Sequence, residues 1–262
     1  MPELPEVETV VRTVAPRLMG RRIVAANFSS RFVTPGNRAV LAARLAGRRV
    51  ENVRRRGKFI VIGLDQGTLA VHLGMTGRLL VSGQPGEHTY GVFTLDEGQI
   101  LYDDPRQFGK IEWSAGPPKR VARLGPEPLE VGLDEFRKRL KRRARIKPLL
   151  LNQTFLAGLG NIYADESLFR AGIHPLASAA RLSAPRAGRL HQAIRETLSE
   201  AIALGGSSVS DYVDANGERG WFQVQHRVYG REGEPCRVCG TRIRRIVVAQ
   251  RGTHFCPKCQ RR

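Results

Sequence analysis

Two stretches of this chain combine residue types that could do chemistry. One is its start, Met1-Pro2-Glu3-Leu4-Pro5-Glu6-Val7-Glu8. Removal of Met1, which a small second residue permits, would expose a secondary amine next to a carboxylate, a potential nucleophile beside a proton donor. Pro and Glu equally suit the first turn of an ordinary helix, so both readings stand on these eight residues alone. The other stretch holds all four cysteines, as Cys236-x2-Cys239 and Cys256-x2-Cys259 with 16 residues between the pairs. Two close pairs at that separation suit one structural, tetrahedral Zn2+, whereas disulfides would be out of place in a reducing compartment.

Several basic and apolar residues could serve that chemistry. In Arg54-Arg-Arg56-Gly57-Lys58, the lysine stands at the mouth of an apolar strand, where it could clamp a phosphate or simply complete a solvated turn. Leu156-Ala-Gly-Leu-Gly-Asn161 puts glycines before a helix whose first amides could hold an anion, with Asn161 reaching the same phosphate or acting as an N-cap. Arg251-Gly252 falls at the tip of a hairpin that zinc would pin, a rigid fingertip for a groove. Met75, Arg106 and Phe108 sit in segments that could fill the gap left by an extruded nucleotide, or could pack in a core.

The elements that must position these groups follow from periodicity. Val7, Val10, Val11, Val14 and Leu18 recur at helical spacing, predicting a first helix with Pro5 in its first turn. Residues 23–33, 49–53, 58–64, 69–73, 90–95, 100–102 and 110–113 read as strands separated by turns, which predicts an antiparallel β-sandwich. Helices are expected over 133–145, 148–152, 162–171 and 184–204, the first with a wet basic face built from eight cations in 137–147. Residues 205–225, rich in Gly, Ser, Asp and Asn, read as a long mobile loop. The expected class is therefore α+β. A catalytic sandwich domain spans 1–115 and a Pro-rich linker 116–128. A helical domain over 129–225 holds the loop 210–225, and a zinc ribbon spans 226–262.

With 43 Lys and Arg against 24 Asp and Glu, the net charge is +19 and the pI about 11.0, a field that favours a polyanion. No apolar run approaches the roughly 20 residues needed to span a bilayer, and no secretory signal is visible. The expectation is a cytoplasmic protein with no membrane partner.

In combination, Pro2-Glu-Leu-Pro-Glu-Val-Glu-Thr9, His72-Leu-Gly-Met-Thr-Gly77, Asp104-Pro-Arg-Gln-Phe-Gly109, Gly160-Asn-Ile-Tyr-Ala164 and Gln250-Arg-Gly-Thr-His-Phe-Cys256 make the chain resemble the bacterial formamidopyrimidine-DNA glycosylases. The resemblance implies a base-excision repair enzyme that removes oxidised purines from damaged double-stranded DNA. It would act through an N-terminal proline iminium with β,δ-elimination. It implies Pro2 as nucleophile, Glu3 as acid/base and Lys58 as a phosphate-contacting residue needed at the active site. His72, Asn161 and Arg251 would contact phosphates around the flipped nucleotide, Arg251 counting with the catalytic set, while Met75, Arg106 and Phe108 would fill the gap. It further implies a helix–two-turn–helix domain around Asn161 and a monomer on bacterial nucleoid DNA, with zinc and no small-molecule cofactor. Glu87-His-Thr-Tyr-Gly91 departs from the family's His-Asp-His, so no role passes to His88. The competing readings are an endonuclease VIII-like enzyme for oxidised pyrimidines and a non-catalytic damage-binding zinc protein.

Overall fold

The structure, a computed structural model, describes residues 1–209 and 212–262, so Ser210 and Asp211 of the expected loop lie outside the described residues. The chain forms two compact units: 1–123 with 204–221, and 124–203 with 222–262.

The first unit begins with α1 (Leu4–Leu18), whose Val7, Val10, Val14 and Leu18 are buried as the spacing predicts. Strands β1 (Ile23–Phe28), β6 (Thr89–Leu95), β7 (Gln99–Asp103) and β5 (Arg78–Leu80) make one antiparallel sheet in that order. The other is β2 (Val50–Arg56), β3 (Phe59–Leu64), β4 (Thr68–His72) and β8 (Lys110–Ser114), also antiparallel. One core takes Val7 and Val14 from the helix, Ile60, Ile62 and Val71 from the second sheet, and Phe93, Ile100 and Tyr102 from the first. Registers Arg56↔Phe59, Phe59↔His72 and His72↔Lys110 form a single row across the second sheet, at the end where the chain turns through Lys58. This row carries basic groups to one edge of a rigid core.

Three local expectations change. The strand expected over 23–33 stops at Phe28, because the Ser30 hydroxyl accepts the Phe32 and Val33 amides and bends the chain away from the ladder. Helix α2 (Arg38–Leu45), capped by Asn37, was not foreseen; among its residues only Leu45 is buried, so it carries almost no apolar period. Part of the described 205–225 loop is packed: Tyr212 and Ala215 enter the sandwich core, and the Ala215 carbonyl accepts the Val81 amide at 3.0 Å, while Asn216 to Arg219 and Trp221 stay exposed.

The linker region holds a single helical turn, α3 (Lys119–Ala122). The second unit comprises α4 (Leu133–Leu140), α5 (Ile146–Leu151), α6 (Asn161–Arg170), α7 (Ala184–Ala203) and the hairpin β9 (Arg244–Val248) with β10 (Arg251–Phe255). The basic helix expected to reach residue 145 ends at Leu140, and Arg145 instead bridges to Ser178. Lys147, expected on a wet face, is fully buried. Among the described residues no helix is long and apolar enough to cross a membrane.

Candidate functional site

Glu3 is the N-cap of α1, and its capping box is reciprocal: the Glu3 side chain accepts the Glu6 amide, while Glu6 Oε2 accepts the Glu3 amide at 2.7 Å. Both carboxylates are buried, as is Pro2. Glu6 reaches further, since its Oε1 accepts the Ser207 amide at 2.8 Å and its carbonyl accepts the Tyr212 hydroxyl at 3.2 Å. Gly206, at φ +83°, allows that approach; a Cβ there would lie 2.8 Å from Glu6 Oε1. The start of the chain is thus fixed from two directions. The terminal amine, here on Met1, has its pKa lowered from the ordinary value by burial, with Lys58 and Arg106 pushing the same way and Glu3 and Glu6 opposing.

Lys58 follows Gly57 (φ +57°) in a two-residue hairpin turn between β2 and β3, where a glycine in the first central position suits the strand twist. It is only 6 % exposed, so the solvated-turn reading fails. The turn is tied to α1: Arg55 Nε donates to Glu8 Oε2 at 2.9 Å, and Arg55 Nη1 donates to the Gly57 carbonyl at 3.3 Å. Burial raises the Glu8 pKa, but hydrogen bonds from Arg55 and Arg12 outweigh it and leave the group below the ordinary carboxylate range.

Beside this edge, His72 stacks on Phe59 at 4.9 Å between ring centroids, and its Nδ1 accepts the Gly74 amide at 3.1 Å. Burial, with Arg120, Lys58 and Lys110 nearby, lowers its pKa to about 4. His72 is therefore neutral at pH 7, with its proton on Nε2. Met75 is 41 % and Phe108 52 % exposed, against the core reading, and Arg106 lies over the Phe108 ring at 4.7 Å. Their two loops are locked together by buried Asp104, which accepts the Thr76 hydroxyl at 2.5 Å and the Gly109 amide at 2.7 Å. Gly74 and Gly109 allow the contact, since a Cβ on Gly74 would meet the Gly109 nitrogen at 2.5 Å. Two large apolar side chains held out in water on a rigid base are poised to enter something.

In the second unit Asn161 opens α6, and its Nδ2 donates to the Gly252 carbonyl at 2.9 Å. Lys147 Nζ donates to the same carbonyl at 3.2 Å and pairs with Asp165 Oδ1 at 2.6 Å, both side chains fully buried. Asp165 Oδ2 takes the His254 amide at 2.8 Å. One buried ion pair therefore grips β10 on either side of Thr253, and Asn161 and Arg251 come together as expected. The hairpin tip is Ala249-Gln250, both at positive φ (+48° and +60°), and Arg251 is the first residue of the returning strand rather than the tip itself. Among the described residues the remaining non-glycine positive φ belongs to Gln107 (+54°), between Arg106 and Phe108. Backbone strain thus flanks the exposed Arg251, Arg106 and Phe108.

The four cysteine sulfurs lie within 4.8 Å of one another, with Cys236–Cys259 at 3.9 Å and Cys239–Cys256 at 3.4 Å. Tetrahedral Zn–S bonds of about 2.3 Å require sulfurs about 3.8 Å apart, so the set fits one structural zinc.

Four groups that build this geometry had drawn no site role from the sequence, where Glu6 and Glu8 were expected only to meet the helix dipole: Glu6, Glu8 with Arg55, Asp104, and Lys147 with Asp165. Glu6 was legible as the fourth residue of a capping box starting at Glu3. Asp104 lay inside a quoted motif, while the Lys147–Asp165 pairing leaves no local signal at all.

A buried lysine and two buried carboxylates around a chain terminus, with a four-cysteine basic hairpin elsewhere in the chain, are the arrangement of a basic, zinc-binding protein suited to nucleic acid. Comparison with known proteins is specific. The N-terminal domain model of formamidopyrimidine-DNA glycosylase matches residues 1–111, that enzyme's H2TH domain model matches 124–213, and a zinc finger found in FPG and IleRS matches 233–262. The formamidopyrimidine-DNA glycosylase of Solibacter usitatus is 59 % identical over 265 residues, covering both chains fully. The crystal structure of the MutM (FPG) protein from Thermus thermophilus superposes with a TM-score of 0.90 at 43 % identity, over 99 % of this chain and 98 % of that one. A Lactococcus lactis FPG mutant in complex with a Fapy-dG-containing DNA gives 0.91 at 38 % identity over the whole of both chains. The chain belongs to the formamidopyrimidine-DNA glycosylase family.

Proposed function

We propose that Pro2, once Met1 is removed, attacks C1′ of an oxidised purine nucleotide extruded from duplex DNA. The chain is a bifunctional DNA glycosylase and AP lyase of base-excision repair. As the N–C1′ bond forms, the glycosidic bond breaks and its electron pair leaves with the base, which takes up a proton; the amine then loses its own proton, and the C1′–O4′ bond opens to leave the iminium, with Glu3 placed to give the proton that O4′ takes up. The resulting iminium remains cationic without holding a proton, so it withdraws electrons and eases β- and then δ-elimination of the two phosphates. Lys58, His72, Asn161 and Arg251 hold phosphates, and Met75, Arg106 and Phe108 occupy the vacated stack. Zinc holds Arg251 in place and takes no part in bond making. The working place is the chromosome, in the cytoplasm of a bacterium.

The observation that carries this reading is the setting of Pro2, buried at the start of α1 next to the reciprocal Glu3–Glu6 capping box, with Lys58 and Arg106 acting on the amine that precedes it. Borohydride trapping on an 8-oxoguanine duplex tests it. The processed protein gives a covalent adduct, while Pro2→Gly gives far less and a form retaining Met1 gives none. An undiminished adduct from the form retaining Met1, in which the Pro2 nitrogen is an amide, would place the nucleophile elsewhere than Pro2.

A further inference from the structure

The second unit contains a cavity of about 770 Å³ at the C-terminal end of α6, lined by Arg170, Arg186, Arg189, Arg261 and Arg262 together with Gly172 and Cys259, and by no carboxylate side chain. Arg170 is already neutralised, pairing with Glu196 at 3.3 Å and Glu200 at 2.5 Å. Arg186, Arg189 and Arg261 have no ion pair with a carboxylate among the described residues; Arg186 donates instead to the Arg261 carbonyl at 2.7 Å.

The frame around these cations is rigid. Arg261 bridges to Ile173, its amide donates to the Gly172 carbonyl at 3.2 Å, and its own carbonyl accepts the His174 amide at 3.0 Å. Gln260, buried between the Ile173 carbonyl (2.9 Å) and the Cys256 amide (2.8 Å), ties the same strand to the zinc cluster. Converging guanidiniums repel one another, by about 1 kcal/mol for a pair 4 Å apart in water, and a bound anion reverses that sign. Each offers a planar donor fork that matches phosphate.

The cavity also stands apart from the phosphate-holding end of this unit. Helix α6 runs from Asn161 to Arg170, and ten residues at 1.5 Å place its two ends about 15 Å apart. A duplex gripped at Asn161 and Arg251 leaves the far end of the helix for another ligand.

We infer that this cavity is a second phosphate-binding site, taking the sugar-phosphate backbone of a DNA segment other than the one under repair. Its volume far exceeds what a lone phosphate fills, which favours a polymeric anion over a free one. A chain able to hold two segments can pass between them without full release into solution. The inference rests on the proposed function only in that a lesion duplex fills the first site.

The test uses that dependence. Full-length zinc-loaded protein is trapped by borohydride on an unlabelled lesion duplex, which blocks the first site, and binding of a second, labelled duplex is followed by anisotropy against salt. Pyrophosphate is titrated in parallel against both the trapped and the free protein. The trapped complex is expected to bind the second duplex. The double substitution Arg186→Ala/Arg189→Ala is expected to weaken that binding about tenfold and to lower the slope of log K against log[salt] by about 2, leaving adduct yield unchanged. The exposed pair Arg142→Ala/Arg143→Ala removes the same charge elsewhere and is expected to have a smaller effect.

Displacement of the duplex by pyrophosphate supports the site and confirms its shared phosphate chemistry. Pyrophosphate binding that depends on Arg186 and Arg189, without duplex binding, supports the site but assigns it to a free phosphate. Equal losses from the two double substitutions would mean net charge alone and would overturn the site. So would absence of both duplex and pyrophosphate binding. Failure of trapping itself refutes the proposed function, and the pyrophosphate arm on free protein still decides the cavity.

Discussion

Both units bury charge, but to different ends. In the sandwich unit Glu3, Glu6 and Lys58 are buried around a chain terminus whose own pKa they help to set. In the helical unit Lys147 and Asp165 are buried more completely, and they hold the Gly252 carbonyl and the His254 amide, with the His254 ring Nδ1 3.5 Å from Asp165 Oδ2. One arrangement tunes a group that must react, and the other fixes a strand that must not move. Charge burial is costly in either place. Its two uses are told apart by what the buried charges surround, a chain terminus in one unit and the backbone of β10 in the other.

Removing the metal breaks the comparison most severely, because among the described residues the cluster that fits one lies in the helical unit. Structural zinc contributes on the order of 10–16 kcal/mol in small zinc-finger peptides, and Cys259 and Cys256 anchor the strand that carries Arg251. Chelation is expected to abolish duplex binding, measured by anisotropy, while the sandwich unit keeps its near-ultraviolet signal from Trp113 and Tyr102. Full binding after complete chelation would show that the hairpin needs no zinc to hold its shape.

Next in size is the buried ion pair. Lys147→Met leaves Asp165 as an uncompensated buried carboxylate and is expected to cost about 3–5 kcal/mol in a denaturation experiment. Lys147→Met with Asp165→Leu should recover part of that loss in stability. It should not recover DNA affinity, because both substitutions also remove hydrogen bonds to β10 at Gly252 and His254. Equal recovery of stability and affinity would reduce the pair to a core element with no positioning role.

That pair also marks the limit of what the sequence discloses. The helix–sandwich–helical–zinc order was readable because valine periods, turn glycines and the cysteine spacing are local signals. Pro2, Glu3 and the cysteines were readable because their chemistry is carried by type and spacing alone. Lys147 and Asp165 are 18 residues apart and meet only after α5 and α6 pack, and the run of eight cations around Lys147 actively suggested a wet helix face. Arg55 failed to stand out for a similar reason, since its neighbours Arg54 and Arg56 look identical in sequence, yet only Arg55 turns onto Glu8. Strand pairing places Arg55 against Glu8.

Glu8→Gln tests that selection within the sandwich unit. Glu8 keeps a hydrogen-bond acceptor for Arg55 on substitution but loses its charge, and the expected cost is about 1–2 kcal/mol, with slower base release because the Gly57 turn holding Lys58 loosens. The pH sign is fixed by the direction of the shift. Glu8 is depressed in the folded state, so its contribution is present above the unfolded value of about 4.3 and is lost as pH falls through the lower folded value. The wild-type protein should therefore lose stability relative to Glu8→Gln on acidification below about pH 4.3. A difference between the two that does not change with pH would mean the clamp is not ionic.

The smallest expected effect separates the units by the charge state of their proposed phosphate contacts. Arg251 is exposed and cationic, so Arg251→Ala should lower the slope of log K against log[salt] by about 1. His72 has its pKa lowered to about 4 and its Nδ1 occupied by the Gly74 amide, leaving a neutral Nε2–H to meet a phosphate. His72→Gln can keep one N–H donor and removes no charge, so at pH 7 affinity should fall by no more than a few-fold and the slope should not change. The negative charge of a bound phosphate opposes the shift and raises the His72 pKa, so the salt slope is the sensitive readout. A slope lowered by about 1 in His72→Gln would mean that the imidazole is protonated in the complex and that burial has been overcome by the phosphate.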